Sequence, residues 1–222
     1  MRPFGANEFV FILAAIRWTV ALSLIAFVAG GIAGTGIALL RISLLGPVRA
    51  LAIGYIQLFQ GTPLLMQLFL VYYCLGLFGL RLDAWTAVVI AYSAYAAAFL
   101  GEIWRGCLQA VPLGQWEAAK SLALRRYQIL RLIIVPQAAR IAIPPTVGFL
   151  VQLVKATAVA SIIGFVEVTR AGQLISNATF EPTIVYPIVA AIYFLLCWPL
   201  SLLSRRLERR LDVATHSPLA AH

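Results

Sequence analysis

Across 222 residues the chain is 62% hydrophobic and only 11% charged, with a mean hydropathy of +0.94, which excludes a soluble domain and marks an all-α integral membrane protein. Seventeen Lys and Arg outnumber eight Asp and Glu, but the basic residues cluster beside apolar runs, so the bilayer is the partner they address and nucleic acid is not. Cys74, Cys107 and Cys197 lie in or beside apolar runs without metal-ligand spacing, and His216 and His222 belong to a polar tail, so no metal site is expected.

The first eighteen residues carry Asn7 and Glu8 before an apolar run, which predicts a short interfacial helix ahead of the first span. That run outlasts a signal-peptide core and shows no convincing cleavage site. The first span is expected over 20–40, with Ala26, Gly30, Gly34 and Ala38 at four-residue spacing forming one small-residue face. Such a face serves either a moving partner helix or tight packing inside one bundle. The second span is expected over 51–77. Gly61 and Pro63 interrupt it early and open backbone hydrogen bonds that neighbours must satisfy again.

Gly79, Arg81 and Asp83 predict a tight turn before a third span over 85–104, which closes on Glu102. A long polar, basic stretch then interrupts the membrane pattern. Glu117, Lys120, Arg125, Arg126 and Arg131 stand among helix formers between two apolar runs, within a cytoplasmic loop expected over 106–138. The placement reads as a handle, gripped from outside the membrane and attached to a span at each end. The fourth span, over 141–165, carries Pro144 and Pro145 early and then Gln152, Lys155, Thr157 and Ser161. A lysine in mid-span costs about 3 kcal/mol to insert, so Lys155 is expected to face the bundle interior or a wet cavity, or else to reach the interface with its long stem. A polar connection over 172–187, a fifth span over 184–204, four arginines at 205, 206, 209 and 210, and a disordered tail over 212–222 complete the chain.

Five spans put the termini on opposite sides. Twelve basic residues fall on the side of the central loop and the C-terminus against four on the other, which assigns the loop and the C-terminus to the cytoplasm and the N-terminus to the outside. No Gly-rich loop ending in Lys-Ser or Lys-Thr is present, and no His-Glu-x-x-His or Gly-x-Ser-x-Gly. The chain thus lacks catalytic residues of its own, and any ATP chemistry belongs to another chain.

Glu117-Ala118-Ala119, a small residue at Ala123, and Ile133, Val135 and Pro136 at matching spacing resemble the EAA loop of ABC importer permeases. Ala123 stands where that family usually has Gly and Val135 where it usually has Leu. The first difference bears on structure, because Gly permits a left-handed turn that Ala adopts at a cost. Phe59 to Leu65, with Gln60 in place of Arg, is similar to an element of the polar amino acid permeases. So are Glu102 to Gly106, Val111 to Ala119 and Arg205 to Arg210, and the resemblance covers roughly Thr19 to Leu211. Lys155-Ala156-Thr157-Ala158 stands where that subfamily often reads Lys-Asp-Thr-Ser, which leaves the solute open.

The resemblance implies a type I ABC importer permease domain over 19–211 in the inner membrane, importing polar amino acids by alternating access. Its implied partners are cytoplasmic ATPases that hold the ATP and Mg, a second permease that is the same or a similar chain, and an extracytoplasmic solute-binding protein. Trp116, Glu117, Ala118, Ala119, Ala123, Arg125, Arg126 and Pro136 form the expected docking set, with Leu122 and Tyr127 as further apolar contacts. Lys155, Thr157 and Gln152 are the expected solute contacts, Lys155 either meeting a carboxylate or pairing with Glu102 or Glu167. The alternatives are the same machinery for an opine, cystine or another small zwitterion, and an ion-coupled carrier, for which neither inverted repeats nor embedded acids are evident.

Overall fold

The computed structural model describes residues 4–215, and these are helical with no strand among them. α1 runs from Ala6 to Arg41, 36 residues without a break. The expected interfacial helix is therefore not separate. No proline interrupts Ala6 to Arg41, Arg17 is passed in helical conformation, and Ile12 and Ala15 are already buried in the bundle. At 1.5 Å per residue such a helix is about 54 Å long, well beyond the roughly 30 Å of a hydrocarbon core.

The second span is broken where Gly61 and Pro63 predict. α2 (Gly46–Gly61) and α3 (Leu64–Leu77) meet at 105°. Thr62 is extended, as the residue before a proline prefers. The side chain of the buried Gln67 closes the gap. Its Nε2 lies 2.8 Å from the Phe59 carbonyl and 3.0 Å from both the carbonyl and the hydroxyl of Thr62, replacing backbone bonds that the bend removes.

α4 (Ala84–Gln109) starts at Asp83, whose carboxylate accepts from the Thr86 hydroxyl at 2.6 Å and the Thr86 amide at 3.2 Å. Those two bonds hold the Asp83 carboxyl below its ordinary pKa. α4 packs closely along α1, and the small-residue face explains how. A Cβ built on Gly30 would meet the Ala96 Cβ at 2.4 Å, and one on Gly34 would meet the Ala97 carbonyl at 3.1 Å. The face serves packing within this chain, backbone to backbone.

After the short α5 (Leu113–Ser121) comes α6 (Arg126–Ile163), whose helix begins fifteen residues before the predicted fourth span. It contains a π-helical turn at Leu130–Ile134, continues through Pro136, Pro144 and Pro145, and tightens to 3₁₀ geometry over Thr157–Ile163 before Gly164 ends it at φ 87°. The predicted polar connection is itself largely helical. α7 (Val168–Thr179), capped by the Glu167 carboxylate, packs against α1 and α8. α8 (Pro182–Thr215) carries the fifth span and extends past Asp212, so the expected tail is helical to Thr215, and the rest of it lies outside the described residues. The central core gathers Leu22, Tyr92, Leu100, Phe149 and Leu153, with Phe99 stacked on Phe149 at 5.6 Å and the Tyr92 hydroxyl donating to the Ala156 carbonyl at 2.7 Å. Large apolar side chains such as Ile32 and Leu51 point outward, as a lipid environment requires.

Candidate functional site

Two features carry chemistry, and α6 joins them. The first is the short helix α5 at one end of the bundle. It follows α4 after Ala110, Val111 and Pro112, and precedes α6 by a four-residue turn, so each of its ends is fixed almost directly to a spanning helix. One face is held inward. Ala119 is buried with Val111, Ile129, Ile134 and Ala138, and Trp116 packs against that cluster. The structure thus turns Trp116 toward the protein's own core, where it supports α5 from beneath. Glu117, Ala118, Leu122 and Tyr127 are exposed, and Glu117 forms no ion pair among the described residues.

α5 ends in a paired turn. The Ala123 amide donates to the Lys120 carbonyl at 2.9 Å and the Leu124 amide to the Ala119 carbonyl at 3.3 Å. Such a turn places its penultimate residue in the left-handed region, and Ala123 has φ 53°. The arginines that follow divide. Arg125 is exposed with its amide donating to Gln128 Oε1, whereas Arg126 turns back so that its guanidinium donates to the Ile42 carbonyl at 3.2 Å. Pro136 lies two residues past the π-helical segment, exposed and within α6.

The second feature is a cleft of about 740 Å³ between α6 and α8, bordered by Lys155, Tyr193, Cys197, Ser201, Ser204 and Arg205. Among the described residues no carboxylate borders it. Lys155 is exposed and borders this cleft, whose wall also includes Val151, Ala190, Phe194 and Trp198. The other two expected contacts are placed differently. Gln152 is exposed but does not border the cleft. Thr157 is fully buried, its hydroxyl donating to the Val154 carbonyl at 2.8 Å and lying 3.4 Å from the Tyr193 hydroxyl.

The ion pair of Lys155 with Glu102 or Glu167 does not form. Glu102 is taken by Arg105, through a bidentate contact, and by Arg41 at 3.6 Å. Glu167 is fully buried and accepts from the Tyr193 hydroxyl at 2.6 Å, the Thr169 amide at 2.9 Å and the Arg170 amide at 2.8 Å. Tyr193 thereby links the cleft to the cap of α7 and to the 3₁₀ end of α6. Sequence reasoning missed Tyr193, Ser201 and Ser204. Their signal was present as Tyr193, Cys197, Ser201 and Ser204, spaced four, four and three and thus on one helix face.

The family model described as binding-protein-dependent transport system inner membrane component matches residues 26–213. The L-cystine transport system permease protein TcyB of Bacillus subtilis is 37% identical over 198 residues, covering 89% of this chain and 85% of the relative. The probable amino-acid ABC transporter permease protein YckA of the same organism is 35% identical over 204 residues, covering 92% and 90%. Among solved structures, a crystal structure of an amino acid ABC transporter with histidines matches with a TM-score of 0.87 at 36% identity, covering 90% of this chain and 94% of that one.

Proposed function

The chain belongs to the binding-protein-dependent transport system inner membrane components and is a multi-pass permease subunit of an ABC importer; from that premise we propose that it imports polar amino acids, driven by ATP hydrolysed on a partner subunit. A permease of this kind works with an ATPase and a substrate-binding protein. The observation that carries the coupling reading is α5, an exposed helix fixed at each end to a spanning helix. Glu117 and Ala118 on its outward face, with Leu122, Arg125 and Tyr127 beside it, offer a groove-fitting surface and charge for an acidic rim. Ala119 and Trp116 hold that surface from below, Ala123 turns the chain back toward α6, and Pro136 sits where α6 resumes past its π-helical turn.

When ATP draws two such ATPases together, the docked helices approach, and α4 and α6 follow to alternate access. A second permease, the same or a similar chain, completes the path. The cleft between α6 and α8 is our candidate for this chain's share of it, with Lys155 meeting the solute carboxylate and Thr157 acting through Tyr193, while Gln152, exposed outside this cleft, would meet the solute only where the second permease faces it. We place the N-terminus outside and α5 and the C-terminus in the cytoplasm, on the excess of basic residues there.

A second reading of the solute has its own observation. The cleft holds Lys155 and Arg205 with no carboxylate, and Ala156 stands where the subfamily often has an acid, an arrangement that suits a zwitterion with two carboxylates, such as cystine or an opine. The test is solute-stimulated ATP hydrolysis in liposomes holding this chain, its ATPase and its binding protein, with Glu117→Lys compared against the native loop. Stimulation by one polar amino acid, lost in Glu117→Lys while the subunits still assemble, supports the proposal. Stimulation by cystine or an opine alone selects the second reading. Uptake that continues without any ATPase defeats both.

A further inference from the structure

At the α5 end of the bundle the turn between α1 and α2 folds over the start of α6, fastened by Arg126 to the Ile42 carbonyl. Beneath it lies a cleft of about 480 Å³ bordered by Arg41, Arg49 and Arg126, with Leu44, Leu108 and Trp116 among its apolar wall. Among the described residues no carboxylate borders it. The acid nearest in bonding terms is Glu102, which contacts Arg41 at 3.6 Å and is already bound to Arg105. Arg41 Nε is buried without a hydrogen-bond partner, and the Arg49 guanidinium forms no ion pair among the described residues. Three guanidiniums around one cavity, one of them with a buried unpaired N–H, call for an anion with several acceptor oxygens.

The surroundings select the kind of anion. Leu44, on the turn over the cleft, is 79% exposed, and Leu45 next to it 65%. Apolar side chains so exposed beside clustered arginines at the end of spanning helices match an interfacial amphiphile, its chains against the leucines and its headgroup among the arginines. The cleft also opens beneath the inward face of α5, bordered by Trp116, and not on the outward face that carries Glu117. We infer that this cleft binds the phosphate of an anionic lipid headgroup. The lipid bridges the α1–α2 turn to α6 and braces α5 from the membrane side. The same phosphate chemistry is available to free phosphate, which lacks the acyl chains.

The test uses the permease assembled with its ATPase in nanodiscs of phosphatidylcholine containing phosphatidylglycerol, with retained lipid quantified by native mass spectrometry. Arg49→Gln/Arg126→Gln is expected to retain phosphatidylglycerol roughly tenfold more weakly, as loss of charge-assisted bonds to phosphate implies. Arg49→Lys/Arg126→Lys keeps the charge and should retain most of the binding. Arg140→Gln/Arg209→Gln removes the same charge elsewhere and should change nothing. Equal retention in all variants, or equal loss in Arg140→Gln/Arg209→Gln, overturns the site. Displacement of the lipid by millimolar inorganic phosphate assigns the cleft to free phosphate and overturns the lipid. Loss of the ATPase from Arg49→Gln/Arg126→Gln with lipid retention unchanged assigns these arginines to the ATPase and overturns it too.

Discussion

Replacing Ala123 by glycine should stabilise the end of α5, because this alanine holds a conformation that its Cβ disfavours. Its φ of 53° is imposed by the two bonds of the paired turn, from Ala123 to Lys120 at 2.9 Å and from Leu124 to Ala119 at 3.3 Å. A left-handed alanine costs about 1–2 kcal/mol. Glycine removes that strain but returns roughly 0.4–1 kcal/mol through the greater freedom of the open chain. The net gain is about 0.5–1 kcal/mol, equivalent to a two- to fivefold fall in the population with the turn open. Hydrogen exchange of peptides covering 113–129, measured on the permease in nanodiscs, reads this as slower exchange of the Ala123 and Leu124 amides. Ala118→Gly is the control. Ala118 is exposed in right-handed helix, so glycine there should cost about 1 kcal/mol and speed exchange across α5. If both glycine variants exchange faster, glycine is acting only as a loose residue, and the argument that Ala123 stores backbone strain is wrong.

Two further predictions concern the spans. Gly30→Ala drives a Cβ to 2.4 Å from that of Ala96 and 3.0 Å from the Ser93 carbonyl, so α1 and α4 must separate; overpacking of this kind costs about 1–3 kcal/mol, and thermal unfolding in detergent should show it, while Gly36→Ala, with no atom within 4 Å of the new Cβ and a better helix former in place, should hold or raise the native midpoint. Gln67→Leu strips the bent second span of the amide that serves the Phe59 and Thr62 carbonyls, and with those carbonyls unsatisfied it should lower stability by on the order of 2 kcal/mol, whereas an unchanged midpoint would mean that the bend is held elsewhere.

How much of this was legible depended on whether the signal was local. Pro63 after Gly61 announces the broken span, because proline removes a donor wherever it stands. The left-handed turn was readable through Ala123, since its position in the EAA pattern fixes what the backbone does there. The face of Ala26, Gly30, Gly34 and Ala38 was readable as a face, but not its partner, because only the fold brings Ala96, Ala97 and Gly101 against it. Charge misled the reading of boundaries. Asn7 and Glu8 suggested a separate helix before the first span, and Arg126, Arg131 and Pro136 fell in the expected loop, yet α1 and α6 run through these positions, since long basic side chains carry their charge to the interface without breaking the backbone. Trp116 shows a related limit of the sequence. An aromatic residue on a polar loop suggests a contact with a partner, and its packing against Ala119 and Ile129, which only the fold brings beneath it, could not be read.

The two functional features lie far apart on one helix, and the path between them is not a uniform rod. From Arg126, under α5, to Lys155, in the cleft, α6 runs about 40 Å at 1.5 Å per residue. A regular helix would carry any tilt of its lower end undiminished to the cleft. α6 instead has a π-helical turn at Leu130–Ile134 next to α5 and prolines at 144 and 145, places where the backbone ladder is already relaxed and bending costs least. The second of these is fastened sideways, since the Ser204 hydroxyl of α8 donates to the Pro144 carbonyl at 2.9 Å. Above it, the Glu167–Tyr193 bond and the burial of Thr157 fix the far end of the cleft to α7 and α8. On the proposed reading, a displacement of α5 is therefore absorbed first at the π-helical turn and then at the prolines. It reaches the cleft as a shift of Gly148, Val151 and Lys155 relative to Tyr193, which its bond to Glu167 holds to the start of α7. That geometry opens or narrows the cleft at its Lys155 end, because the Ser204–Pro144 bond keeps α8 and α6 together at the other.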